Sequence, residues 1–296
     1  MSFKHQALQH IVETEKHRNK QHIHDTQLFQ KAVDIIFTMK STPTPKSSPQ
    51  MSAHKGFKLY GELAVAAIMK EFKQLVHGAF PGKPVVEAIK HSNLSDKDKS
   101  TSLNAVNLIK VKNNGTVKGR PCANGSKECY YLAEGDSVAS PTASLEAIIS
   151  TLLIDVYESC DVAIFNIPGA YLHTEMPDEH QVILKVKGKF VDIMCDVNED
   201  FKAFILYKNE MKVLHLKVLR ALYRCITSAL LWYNLYTETL SKEGYKINPY
   251  DRCVANKNIN GSQCTLVWYV DDNKISHKDA SVVTNEMKKS LNILVI

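Results

Sequence analysis

No run of about 18 consecutive apolar residues occurs in the chain, so the hydropathic signature of a transmembrane helix is missing. The opening MSFKHQALQH also lacks the apolar core of a secretory signal. A soluble protein of the cytoplasm or nucleus, without membrane contact, is the expectation. The seven cysteines (Cys122, Cys129, Cys160, Cys195, Cys225, Cys253, Cys264) include no C-x-x-C pair. An odd, scattered set fits neither a disulfide framework nor a structural zinc site. Glycine and proline are scarce, 12 and 10 among 296 residues, and 44% of the chain is hydrophobic, which excludes fibrous and wholly disordered classes. Charge of one sign does not dominate either. The net +6 permits a polyanionic partner without requiring one.

Familiar catalytic signatures are missing too. Neither G-x-S-x-G nor H-E-x-x-H is present. The nearest phosphate loop, GAFPGKP (78–84), is one residue short of G-x-x-x-x-G-K-[ST], and Pro84 stands where a magnesium-binding hydroxyl belongs.

Residues 1–58 differ from the rest. Six of the twelve histidines lie there, among them His22 and His24, and STPTPKSSPQ (41–50) has linker composition. A polar amino-terminal arm over 1–58 and one folded domain over 59–296 are expected. Within 60–78 a helix is predicted, with Leu63, Ala67, Ile68, Phe72, Leu75 and Val76 on one stripe. Two hairpins turn on Asn114-Gly115 and Asn260-Gly261, a dipeptide that favours two-residue turns. Ser140-Pro141 has the form of a helix start, QVILKVKG that of a strand, and residues 218–244 that of a long amphipathic helix stopped by Gly244. Strands and helices mix without a regular βαβ rhythm, so the fold class is α+β.

The second hairpin runs into VWYVDDNKIS (267–276), where two adjacent aspartates end an apolar, aromatic run. Adjacent carboxylates repel unless solvent or a cation compensates, so the pair alone is also compatible with a plain solvated turn. Other blocks accompany it in order: KGRPCANGSK (118–127), SVASPTASLEAI (137–148), NIPGAYLHTEMP (166–177), LRALYRCITSALLWYNLY (219–236) and INPYDRCVANK (247–257). In these blocks the chain resembles the reverse transcriptases of copia-type long-terminal-repeat retrotransposons, over roughly residues 60–290.

That resemblance implies the fingers and palm of a right-handed polymerase, with the palm incomplete, the thumb absent and the polyprotein's other domains as partners in an intact element. It implies RNA-directed DNA synthesis from deoxynucleoside triphosphates on an RNA or DNA primer–template, with two Mg2+ or Mn2+ ions. By the same correspondence Asp271 is a metal ligand and Asp272 its less essential neighbour, with Asn166 and Ile167 completing the metal contacts. Lys118 and Arg120 would neutralise the triphosphate, and Gly169, Ala170 and Tyr171 would line the nucleotide, Tyr171 beneath the sugar. The resemblance implies an aspartate at position 166, where this chain has Asn166, and a glycine at 224, where it has Arg224. An amide is neutral and its nitrogen is a donor, so impaired phosphoryl transfer is expected. Asp161, five residues earlier, is about 16 Å away along an extended strand and cannot substitute. A non-catalytic nucleic-acid-binding remnant, or a decayed reading frame without activity, is the alternative.

Overall fold

The protein is described by a computed structural model that covers residues 50–78, 83–112, 114–126 and 138–292. His22, His24, the linker up to residue 49 and residues 79–82 of GAFPGKP lie outside the described residues. Among the described residues no helix is long and apolar enough to cross a membrane.

Two sheets with helices packed on them give an α+β fold. The first sheet has seven strands in the order β1-β3-β6-β8-β2, with β4 on the free side of β3 and β7 on β8. Its members are β1 (Met51–Ser52), β2 (Val86–Ile89), β3 (Leu103–Val111), β4 (Val117–Ala123), β6 (Ile183–Lys187), β7 (Leu206–Lys208) and β8 (Met211–Val218). Helix α1 (Ala53–His77) lies against it and buries Ile68, Phe72 and Leu75 in one core with Leu184, Val186, Leu214 and Leu216. Helices α2 (Asp96–Thr101) and α4 (Lys189–Val197) complete this half.

The second sheet is antiparallel, in the order β5-β12-β11-β10-β9. It comprises β5 (Asp161–Asn166), β9 (Lys246–Ile247), β10 (Val254–Ile259), β11 (Ser262–Tyr269) and β12 (Asp272–His277). Helices α3 (Leu145–Tyr157), α5 (Ser228–Lys242) and α6 (Ala280–Asn292) accompany it. Trp232 and Tyr236 of α5 stack at 5.1 Å, and Tyr236 meets Trp268 of β11 edge-on at 5.4 Å. Large rings in these arrangements supply much of the second core.

Both hairpins form, but only the second as a two-residue turn: in the first the Lys112 amide donates to the Thr116 carbonyl at 2.9 Å, so the loop is one residue longer. Val111 pairs with Val117 across the first, and Ile259 with Ser262 across the second. Asn260 and Gly261 both take positive φ, 52° and 79°, the combination a type I′ turn demands.

Four expectations shift. Folded structure begins before residue 59: Met51 and Ser52 pair with Ile109 and Leu108, and the Ser52 hydroxyl caps α1. Gly61 (φ 49°, ψ −126°) interrupts α1 and resets its phase, so Leu63 turns outward, 68% exposed, while Ala64 is buried. Helix α3 starts four residues after Ser140, where the Ser144 hydroxyl accepts from the Ala147 amide at 3.1 Å. Residues 218–227 are not helical: the Leu219 amide donates to Val85 and the Ala221 amide to Thr174. These long-range bonds take the donors that a helix would have used, so α5 begins only at Ser228.

The contact between α1 and β4 is close because of one glycine. A Cβ on Gly119 would lie 2.6 Å from the carbonyl oxygen of Ala67 and 3.2 Å from the Cα of Ile68. Both are backbone atoms that cannot swing aside. Gly119→Ala is expected to destabilise the protein by about 1–3 kcal/mol, read from the urea midpoint at unchanged slope.

Candidate functional site

The site is built where β5, the β11–β12 turn and the segment after β5 meet. Tyr269 pairs with Asp272, so Val270 and Asp271 alone form the turn. Val270 adopts φ 58°, a value that a β-branched residue takes only at a cost. Three donors hold the turn in place. Trp232 Nε1 donates to the Val270 carbonyl at 2.9 Å. The Asp271 carbonyl accepts from the Ile167 amide at 2.8 Å and from Asn273 Nδ2 at 2.9 Å. Asn273 is oriented in turn by the hydroxyl of buried Tyr236, which donates to its Oδ1 at 2.7 Å.

Strand β5 pairs antiparallel with β12 and sets Asn166 directly opposite Asp272. Asn166 Nδ2 donates to Asp272 Oδ1 at 3.2 Å. The predicted trio of Asn166, Asp271 and Asp272 is therefore one local group. Asp161 sits at the far end of β5, opposite His277. Ile167 contributes only backbone here, because its side chain is buried in the second core.

Next along the chain, Gly169 takes the left-handed conformation (φ 62°, ψ 35°) and starts the 3-10 turn Ala170–His173. Ala170 is buried beneath, and half-buried Tyr171 lies against Tyr223 with ring centroids 4.9 Å apart. Buried Arg220 clamps this turn: its guanidinium donates to the His173 carbonyl at 2.9 Å and the Leu172 carbonyl at 3.3 Å, and pairs with Glu175 at 3.2 Å.

Lys118 and Arg120 alternate with Gly119 on β4 and are exposed on one face of that strand. Their positive charges reach Glu71 of α1, whose carboxyl is raised by burial and drawn back by Lys118, Lys70 and Arg120. Tyr223 is where the two halves converge. Burial first, then Asp271, Tyr171 and Glu71, push its phenol up to about 12, while Arg120 opposes the rise. Burial and Asp271 push Tyr171 up in the same way. The Tyr223 carbonyl also accepts from the Ala123 amide of β4 at 3.3 Å, tying the strand that carries Arg120 to the site.

Sequence reasoning missed the parts that aim these groups. Tyr223 is 42% exposed and sits between Arg120 and Asp271. Trp232 is buried in the second core, and it also holds the turn. Arg220 and Asn273 carried no signal in the linear sequence, since the partners of Arg220 lie 45–48 residues away and the hydroxyl that orients Asn273 lies 37 residues away. Arg224, in place of the glycine that the resemblance implies, has φ 70°.

The donor set does not suit two divalent ions. It offers two carboxylates and one amide, and the amide nitrogen is directed at a carboxylate oxygen, the atom a cation would need. Among the described residues no group of three or more His, Cys, Asp or Glu side chains is placed to hold a metal. No protein-family model matches the chain, and no curated protein matches it.

Arg224→Gly should raise stability by about 1 kcal/mol, because glycine takes positive φ without the Cβ penalty; thermal and urea unfolding both read this. A second outcome concerns pH. The raised Tyr223 pKa means the folded state favours the neutral phenol, so its contribution is complete below pH ~10 and drains away as pH climbs toward about 12. Tyr171, Tyr233, Tyr236 and Tyr245 are pushed up as well, so the readout is a difference: in an ultraviolet titration Tyr223→Phe should remove one of the late steps, and Asp271→Asn should move it to lower pH.

Proposed function

We propose that the chain is a reverse-transcriptase-type polymerase of the copia class whose nucleotidyl-transfer centre is impaired. In this reading the seven-stranded sheet with α1 is the fingers and the five-stranded sheet with α5 and α6 is the palm. The observation that carries the impairment is the pairing of Asn166 with Asp272 across β5 and β12. Support for the ancestry comes from the ordered sequence blocks and from Tyr171, Asp271 and Arg120 acting around Tyr223.

The residues divide the work as follows. Lys118 and Arg120 hold the triphosphate by charge-assisted hydrogen bonds. Tyr171, backed by Tyr223, supports the sugar. Asp271 and Asp272 keep two of three carboxylates, and the missing one removes electrostatic stabilisation worth several kcal/mol at the transferring phosphoryl group. Binding of primer–template and nucleotide survives this loss better than turnover does. The same hydrogen bond therefore also favours a second reading, a nucleic-acid-binding protein without catalysis.

Primer extension on a homopolymer template with Mg2+ or Mn2+ tests the proposal. Little incorporation is expected from the chain as written; robust extension would overturn the impairment. Asn166→Asp sets like charges directly opposite one another, lowering stability by up to about 1 kcal/mol without divalent ions. Added Mg2+ should restore that loss. An Asn166→Asp protein without divalent-dependent stabilisation would sink the polymerase reading.

A further inference from the structure

We propose that the open edge of β5, together with the exposed end of α3, is the surface through which two copies of this chain associate, β5 pairing antiparallel with β5 of the partner. This inference does not rest on the polymerase reading.

The edge follows from the sheet order. β5 is the outermost strand of the second sheet, and among the described residues only β12 pairs with it. The Ile167 amide donates to the Asp271 carbonyl, and backbone groups alternate in direction along an antiparallel strand. The amides and carbonyls of Ala163 and Phe165 therefore point to β12, and those of Val162 and Ile164 point to the open side. Natural edge strands are blunted by charge, proline or a bulge. Residues 162–165 (VAIF) carry no charge and no proline, and their register with β12 is unbroken.

Side chains add to the backbone. Ile164 is 80% exposed and Val162 is exposed beside it, while Phe165 on the other face is buried in the second core. Lys274, directly opposite Ile164, reaches Asp155 of α3 and so brings the end of that helix to the edge. Nine of the thirteen residues of α3 are apolar or aromatic, yet Asp155 is the one that is fully buried. Ile154 and Val156 flank it and are exposed, and Tyr157 after them is 79% exposed. With Val162 and Ile164 they present on the order of 500 Å² of apolar surface, near the upper end for a monomer's largest patch and more than half of what each partner contributes to a standard interface. Charge is confined to the border, where Glu158 pairs with Lys278 at 3.4 Å and Asp161 opens the strand.

A second copy fits because the edge is complementary to itself. Turned by a two-fold axis through Ala163, the strand sets Val162 opposite the partner's Ile164, and each amide meets the other's carbonyl. Apolar side chains then face apolar side chains across the new strand pair. The two five-stranded sheets become continuous.

Sedimentation velocity of the full chain over a micromolar concentration series tests this, and a concentration-dependent dimer is expected. Ile164→Lys, at an exposed position outside the core, should raise the dimer dissociation constant by at least about tenfold with unchanged circular dichroism. Tyr207→Lys, at an exposed aromatic on the first sheet, should leave the dimer intact. Oxidation reads the register: a mixture of Val162→Cys and Ile164→Cys chains should cross-link in higher yield than either variant alone, because directly opposite cysteines come within disulfide range. A monomer at every concentration would overturn the inference, as would a dimer that Ile164→Lys leaves unchanged or that Tyr207→Lys weakens equally. Cross-linking no greater in the mixture than in the single variants would overturn it as well. So would slow amide exchange at Val162 and Ile164 in a monomer, because the chain would then cover its own edge.

Discussion

The pairing of β5 with β12 is the constraint on which the rest of the site depends. Side chains alternate along a strand, so a slip of one residue would turn Asn166 away from Asp272 and move Phe165 out of the second core. Phe165 and Ile275 are buried on the core face while Asn166 and Asp272 are exposed. Burial of the apolar set thus fixes the placement of the polar set. Residues 106 positions apart in sequence reach hydrogen-bond distance through this register.

A buried ion pair reinforces it. Lys274 of β12 and Asp155 of α3 meet in the interior, and each has little exposed surface. Such a pair adds little net stability over an apolar equivalent, but removing one partner leaves an uncompensated charge and costs about 3–5 kcal/mol. Its effect here is positional: only one register of β12 sets Lys274 beneath Asp155. The same register carries Asn273 to Tyr236 and leaves the Val270 and Asp271 carbonyls facing their donors. A turn that is unfavourable by its own φ is held by a ring of hydrogen bonds from α5, β5 and β12.

Charge at the site follows from the same geometry. Asp271 acts on two phenols, and Arg120 reaches one of them from the other sheet. The Asn166 amide bonds to Asp272, so the strand pair carries an attraction at this position, where a carboxylate at 166 would carry repulsion.

Much was legible in the sequence where the deciding physics is local. The Asn260-Gly261 turn, the strand QVILKVKG and the α+β class rest on preferences of a few neighbouring residues, and they appear as expected. The helical pattern of 218–227 misled, because Leu219 and Ala221 bond to Val85 and Thr174, and no linear pattern reports those partners. Leu63 misled for a similar reason, its phase being reset at Gly61. The identities of Asn166, Arg224, Asp271 and Asp272 were determined by the sequence alone. Only the tertiary structure decided that the Asn166 amide meets Asp272, that Arg224 occupies a left-handed position, and that β5 lies at the edge of its sheet with Ile164 exposed. Side-chain chemistry belongs to single residues, whereas distance between them is set by strand register and core packing over the whole fold.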